Sequence, residues 1–141
     1  MSEELEKRII AHEGSKQFAY KDTRGYTTIG IGRNIDERCG NGLTKAERLY
    51  LLRNDLNRCR KQLSIYGFFY NLDEVRQEVL IEMCFNLGLD GLLHFSKMIA
   101  ALVKKDYSEA VTEMHKSQWS RQIGEERLSD LTHRMKTGSY G

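Results

Sequence analysis

Six of the 12 glycines in this 141-residue chain fall between Gly14 and Gly42, and the chain has no proline. Glycine takes positive φ without strain and lets backbones approach closely, so this cluster marks tight turns and a small sheet. From Thr44 onward apolar residues recur every three or four positions, the period of an α-helix. The expected fold is therefore α+β and mostly α, in a single domain. It has a small N-terminal β-hairpin lobe over about 14–43, a long connecting helix over about 44–63 and a helical C-terminal lobe over about 64–141.

Local signals support this division. A first helix is expected over Ser2–His12, with Ser2 as its cap and Leu5, Ile9 and Ile10 on one face. Gln17–Lys21 alternates polar and aromatic residues, Asp22-Thr23-Arg24-Gly25 reads as a turn, and Tyr26–Ile31 as the returning strand. Thr44-Lys45-Ala46-Glu47 fits a capping box, and Ala46, Leu49, Leu52, Leu56, Cys59 and Leu63 then form one apolar stripe. Ser64–Asn71 breaks the pattern. A second apolar helix carries Val75, Val79, Leu80, Met83 and Cys84, with Gly88 and Gly91 ending it. Shorter helices are expected at about Ser96–Lys104, Ser108–Ser117 and Glu125–Met135, and Asp106 with Glu109 offers another capping box.

Several function classes are disfavoured. With 22 basic and 20 acidic residues the formal net charge is only +2, so no nucleic-acid partner is expected. The four histidines, at 12, 94, 115 and 133, pair with no cysteine or second histidine at ligand spacing, so neither metal nor cofactor is expected. Gly30-Ile31-Gly32 lacks the third glycine and following helix of a dinucleotide site. Cys39, Cys59 and Cys84, an odd number, are expected to remain thiols, the last two on apolar faces. The longest aliphatic run, Met98–Val103, spans six residues, against about 20 for a membrane helix. The N-terminus shows no basic start followed by an apolar run. A protein that does not insert into membranes and is made in a cytoplasm is expected.

Chemistry then rests on two carboxylates. Glu13 ends the first helix and Asp22 sits at the hairpin turn. Glycoside hydrolysis needs a proton donor and a base or charge stabiliser on opposite sides of one bond. A half-buried Glu13 would hold its proton firmly, as a general acid must, while Asp22 in a polar turn would stay ionised. Thr28 on the returning strand offers a hydroxyl to hold a water. A glutamate at a helix end and an aspartate in a turn are also commonplace structural residues.

Glu13-Gly14 followed by Tyr20-Lys21-Asp22-Thr23-Arg24-Gly25-Tyr26-Thr27-Thr28-Ile29-Gly30-Ile31-Gly32 closely resembles the signature of the phage-type lysozymes, glycoside hydrolase family 24. Eight residues separate Glu13 from Asp22 and five separate Asp22 from Thr28, the family's catalytic spacing. Asn71–Arg76, Phe85–Gly88, Lys116–Trp119 and Lys136–Tyr140 resemble later landmarks in the same order, so nearly the whole chain is covered. The resemblance implies a lysozyme-like fold with a cleft between the lobes. It implies an endolysin that cleaves the β-1,4 bond between N-acetylmuramic acid and N-acetylglucosamine in bacterial peptidoglycan. Glu13 would be the general acid, with Asp22 and Thr28 positioning water in an inverting reaction. Phe85 and Asn86 would line the substrate cleft, and Arg127 would pair with the catalytic glutamate. A monomer is expected. Such an enzyme waits in the host cytoplasm and reaches the cell wall once a separate holin permeabilises the membrane.

The sequence also departs from the family. Arg33 stands where the T-even branch has a histidine, Asn34–Leu43 is shortened, and Asp130 replaces an arginine. Trp119 is expected to close the helical core, His12 to be solvated beside Glu13, and the Arg58-Cys59-Arg60-Lys61 run to form a solvated helix face. Two other function classes compete. One is a peptidoglycan-binding or virion-associated module of the same fold with little turnover. The other is a helical protein–protein module, which leaves the carboxylates and clustered glycines unexplained.

Overall fold

The structure is a computed structural model describing residues 1–141. Its elements are, in order, α1 (Glu3–Glu13), β1 (Lys16–Lys21), β2 (Thr27–Gly30), β3 (Arg33–Asn34), α2 (Lys45–Leu63), α3 (Gly67–Tyr70), α4 (Glu74–Leu93), α5 (Ser96–Val103), α6 (Tyr107–Lys116), α7 (Gln118–Gln122) and α8 (Glu125–Thr137). The α+β, mostly helical class is as the sequence indicates. The chain forms two compact units, Met1–Leu51 and Leu52–Gly141.

The first unit holds α1, the sheet and the start of α2. Ser2 caps α1, its hydroxyl accepting the Leu5 N–H. The three strands are antiparallel in the order β1-β2-β3. Lys16 pairs with Gly30 and Tyr20 with Thr28, with an irregularity between them. Thr28 pairs on its other side with Asn34. The expected hairpin thus gains a third strand of only two residues, too short to show an alternating pattern. The capping box at α2 forms in full. Thr44 Oγ1 accepts the Glu47 N–H at 3.2 Å, and Glu47 Oε1 accepts the Thr44 N–H at 2.8 Å.

The interior of this unit is polar. The only side chains below Leu52 that are buried are Thr28 and Asp36. Every buried apolar residue belongs to the second unit.

The second unit is built around α4, whose Val79, Leu80 and Met83 are fully buried. Leu63, Met98, Met114, Leu131 and Met135 close around them from α2, α5, α6 and α8. Burying one such side chain is worth about 1.5–3 kcal/mol, which makes this core the main source of the unit's stability. The stripe predicted along α2 divides: Cys59 and Leu63 are buried, while Leu49 and Leu52 stay exposed. Gly88 does not end α4. It takes φ 78°, ψ 163°, breaking the helical geometry, and helical structure resumes to Leu93. The break at 64–71 contains the one-turn helix α3, and α7 is a further short helix that periodicity did not reveal. Asp106 caps α6 by accepting the Glu109 N–H at 3.0 Å. Arg76 ties α4 to the end of α8, donating to the carbonyls of Met135 and Lys136 at 2.7 and 2.9 Å while lying 3.5 Å from the Tyr107 ring centroid. No single helix is long and apolar enough to cross a membrane.

Candidate active site

Glu13, Asp22 and Thr28 all lie in the first unit, and the sequence sets each one locally. Glu13 is the last residue of α1. Its carboxylate fills the space above Gly32, where a Cβ would meet Oε2 at 2.7 Å. Glu13 is exposed.

Asp22 opens the turn between β1 and β2. Its Oδ1 accepts the N–H groups of Arg24 and Tyr26 at 2.8 and 2.9 Å, the side-chain-to-backbone bonding that suits aspartate to turns. Its backbone N–H donates to the Tyr26 carbonyl at 2.9 Å. All of its side-chain bonds within the protein fall on Oδ1, so Oδ2 is the open oxygen.

Thr28 is buried, and its hydroxyl donates to that same Tyr26 carbonyl at 3.1 Å. Asp22 and Thr28 are therefore fixed to one common oxygen. With its hydrogen committed, the Thr28 oxygen is left as an acceptor.

Two ion pairs that sequence reading missed frame this arrangement. Arg33 grips Glu47 with two bonds of 2.6 and 2.7 Å, the fork geometry in which arginine excels, and also donates to the Gly42 carbonyl at 2.9 Å. The N–H and hydroxyl of Thr44, with the Arg33 guanidinium, hold the Glu47 carboxyl down at about 2. Arg38 grips buried Asp36 at 2.8 and 2.9 Å. That guanidinium, the Thr27 N–H and the Arg38 N–H hold the Asp36 carboxyl well below the usual carboxylate range.

Phe85, Asn86 and Arg127 lie in the second unit. Phe85 and Arg127 line a cavity of about 630 Å³, together with Leu56, Ile81, Glu82 and Arg134. Arg127 Nε donates to Glu82 Oε2 at 3.0 Å. The buried Arg134 donates to Glu82 Oε1 at 2.8 Å and to Asp130 at 2.7 Å. Asn86 accepts the Trp119 indole N–H at 2.8 Å. Trp119 is buried edge-on against Phe95, closing the core as expected, with centroids 5.8 Å apart. No three His, Cys, Asp or Glu side chains come together to hold a metal ion.

An α+β fold with a glutamate at a helix end, and an aspartate and threonine fixed to one hairpin, is that of a lysozyme-like protein. The family model described as "Phage lysozyme" matches residues 10–137, and the chain belongs to this family of muramidase-like glycoside hydrolases, whose substrate is peptidoglycan. It is similar to "Probable T4-type lysozyme 1" of Dictyostelium discoideum, at 29% identity over 78% of this chain and 81% of that protein. "Probable T4-type lysozyme 2" of the same organism is 25% identical over 86% of this chain and 88% of its own length. The chain is also 28% identical over 92% of its length to 27% of "Pre-baseplate central spike protein Gp5" of Enterobacteria phage T4.

Proposed function

We propose that the protein is a phage endolysin, hydrolysing the β-1,4 bond between N-acetylmuramic acid and N-acetylglucosamine in bacterial peptidoglycan. The observation that carries this reading is the pairing of Asp22 and Thr28 on the Tyr26 carbonyl, in a family of this chemistry. A water donating one hydrogen to Thr28 Oγ1 and the other to Asp22 Oδ2 keeps its lone pair for the anomeric carbon. Glu13 gives its proton to the glycosidic oxygen as that bond breaks, and Asp22 takes the proton the water loses. Attack by water opposite the leaving group inverts the anomeric centre. Phe85 and Asn86 contact substrate.

In the cell, the protein works as a monomer in host lysis. It accumulates in the host cytoplasm and meets the wall after a separate holin opens the membrane. Glu13→Gln is the deciding variant. It retains the fold by circular dichroism and loses about 10²-fold or more of the rate at which purified peptidoglycan is cleared. Mass analysis of the wild-type digest shows hydrated reducing-end N-acetylmuramic acid. A digest ending in N-acetylglucosamine or anhydromuramic acid rejects the bond or the reaction proposed.

The similarity to a baseplate spike protein favours one rival, a virion-associated module that binds peptidoglycan with little turnover. Sedimentation with peptidoglycan without release of reducing ends would select it.

A further inference from the structure

We infer that Asp36 and Arg38 form a positioning clamp that sets the distance and orientation between Asp22 and Thr28, a role that rests on the catalytic reading of those two residues. The clamp contacts each residue from the end of the Asp22 turn up to Thr28, that is Gly25, Tyr26 and Thr27. Arg38 Nη2 donates to the Gly25 carbonyl at 3.0 Å. The Arg38 guanidinium lies 5.0 Å from the centroid of the Tyr26 ring. Asp36 Oδ2 accepts the Thr27 N–H at 2.9 Å. Gly25, Tyr26 and Thr27 are thus each fixed by one member of the pair.

Those same residues connect to the reacting groups. The Tyr26 N–H is one of the two donors to Asp22 Oδ1, and the Tyr26 carbonyl receives both the Asp22 N–H and the Thr28 hydroxyl. A shift of Tyr26 therefore moves Asp22 and Thr28 together with the water they would hold. The pair is itself anchored. Asp36 Oδ1 accepts the Arg38 N–H at 3.0 Å, the Asp36 N–H donates to Asn34 Oδ1 at 2.9 Å, and the Ile35 N–H donates to the Thr27 carbonyl at 2.9 Å.

The first unit has no buried apolar side chain to do this work. Its two buried side chains are Thr28, one of the water-holding pair, and Asp36 of the clamp. Hydrophobic packing cannot fix the hairpin tip, so directional bonds from a charged pair do. Neither residue makes the chemistry. Asp36 has both oxygens committed to Arg38 and Thr27, and Arg38 faces the tip from the loop after β3. Both act through the chain from Gly25 to Thr27.

The test uses the full chain and soluble peptidoglycan fragments, with wild type and Glu13→Gln as references. Arg38 is about two-thirds exposed, so Arg38→Ala opens no cavity; because it leaves the Asp36 carboxylate without its guanidinium, rates are compared well below the variant's melting temperature. In this variant kcat falls about tenfold while KM stays within twofold, because the water-holding pair is misplaced and the sugar contacts are not. The amide NMR resonances of Arg24 and Tyr26 shift, while those of Glu4 to Glu6 in α1 do not. Arg38→Lys keeps the charge but not the fork, and recovers no more than part of kcat. Unchanged kcat in a folded Arg38→Ala, or full recovery in Arg38→Lys, overturns the clamp. A fall in kcat with the Arg24 and Tyr26 amides unmoved also overturns it, in favour of a merely structural pair. If Glu13→Gln is as active as wild type, the catalytic reading fails, and the clamp fails with it. An active wild type, inactive Glu13→Gln and fully active Arg38→Ala sinks the clamp alone.

Discussion

Glu13 and Gly32 share one space. A methyl group on Gly32 would stand 2.7 Å from Oε2 of Glu13 and 2.9 Å from its carboxyl carbon. Gly32 also has φ +68°, where a side chain is strained by about 1–2 kcal/mol. Gly32→Ala is therefore expected to displace the Glu13 carboxylate as well as destabilise the turn. Peptidoglycan clearing falls at least tenfold, by the argument that small misplacements of a reacting group are expensive. Gly30→Ala is the control for strain alone, since it has the same φ of +68° and open space around its Cβ position. Equal activity losses in the two variants would remove Glu13 from the explanation.

Acid should loosen the first unit through two carboxylates. Glu47 and Asp36 both have folded-state pKa values below their ordinary values of 4.5 and 3.8. Their contribution is complete above about pH 4.5 and is lost as pH falls toward 2, because the unfolded chain then binds protons that the folded chain refuses. Melting followed at Tyr26 by NMR is expected to decline across that window. In Glu47→Gln the decline is smaller. A melting temperature that stays level from pH 5 to 2 refutes the assignment.

The three thiols should divide by accessibility. Cys39 is exposed, whereas Cys59 and Cys84 are buried. Burial, with Cys59 beside it, pushes the Cys84 thiol up to about 12, and the thiolate is the reactive form. A disulfide reagent such as Ellman's is expected to titrate one thiol in the native protein and three after denaturation. Cys39→Ser abolishes the native reaction. Rapid labelling of a second thiol without denaturant contradicts the core packing described.

Glu82 bonds two arginines of the second unit. Burial alone would lower the Arg134 pKa, but its bonds to Asp130 and Glu82 raise it. Removing Glu82 leaves Arg134 with Asp130 and Arg127 without its carboxylate. Glu82→Leu is expected to lower stability by about 2 kcal/mol in urea unfolding. Glu82→Leu with Arg134→Met recovers most of that, since an apolar pair replaces a buried charge. A double variant as unstable as the sum of the single variants counts against direct coupling.

Much of this was legible because short-range rules carry it. Ser2, Thr44 with Glu47, and Asp106 announce helix starts through side chains that bond to backbone three residues on, and those starts hold to within a residue. The Asp22 turn is of the same kind. The elements that escaped are short or broken: β3 with two residues, α7 with five, and α4 running through Gly88. None of these is long enough, or regular enough, to show a period. The Asp36–Arg38 clamp escaped because its partners at Gly25 and Thr27 lie across the sheet, where local spacing says nothing. The Asp130–Arg134 pair was open to detection, since acidic and basic residues four apart share a helix face. The exposure of Glu13 was not, because it depends on what surrounds a helix end rather than on the helix.

Glu47 has one further consequence. Its Oε1 receives both the Thr44 N–H and an Arg33 N–H, and Arg33 in turn holds the Gly42 carbonyl. The segment from Ile35 to Gly42 is thereby fastened to β3 at one end and to the first turn of α2 at the other. Lifting it breaks the helix cap and the β3 ion pair together. In hydrogen–deuterium exchange, the amides of Thr44, Glu47 and β3 should therefore open as one cooperative unit, and a Glu47 variant should release all of them at a common rate.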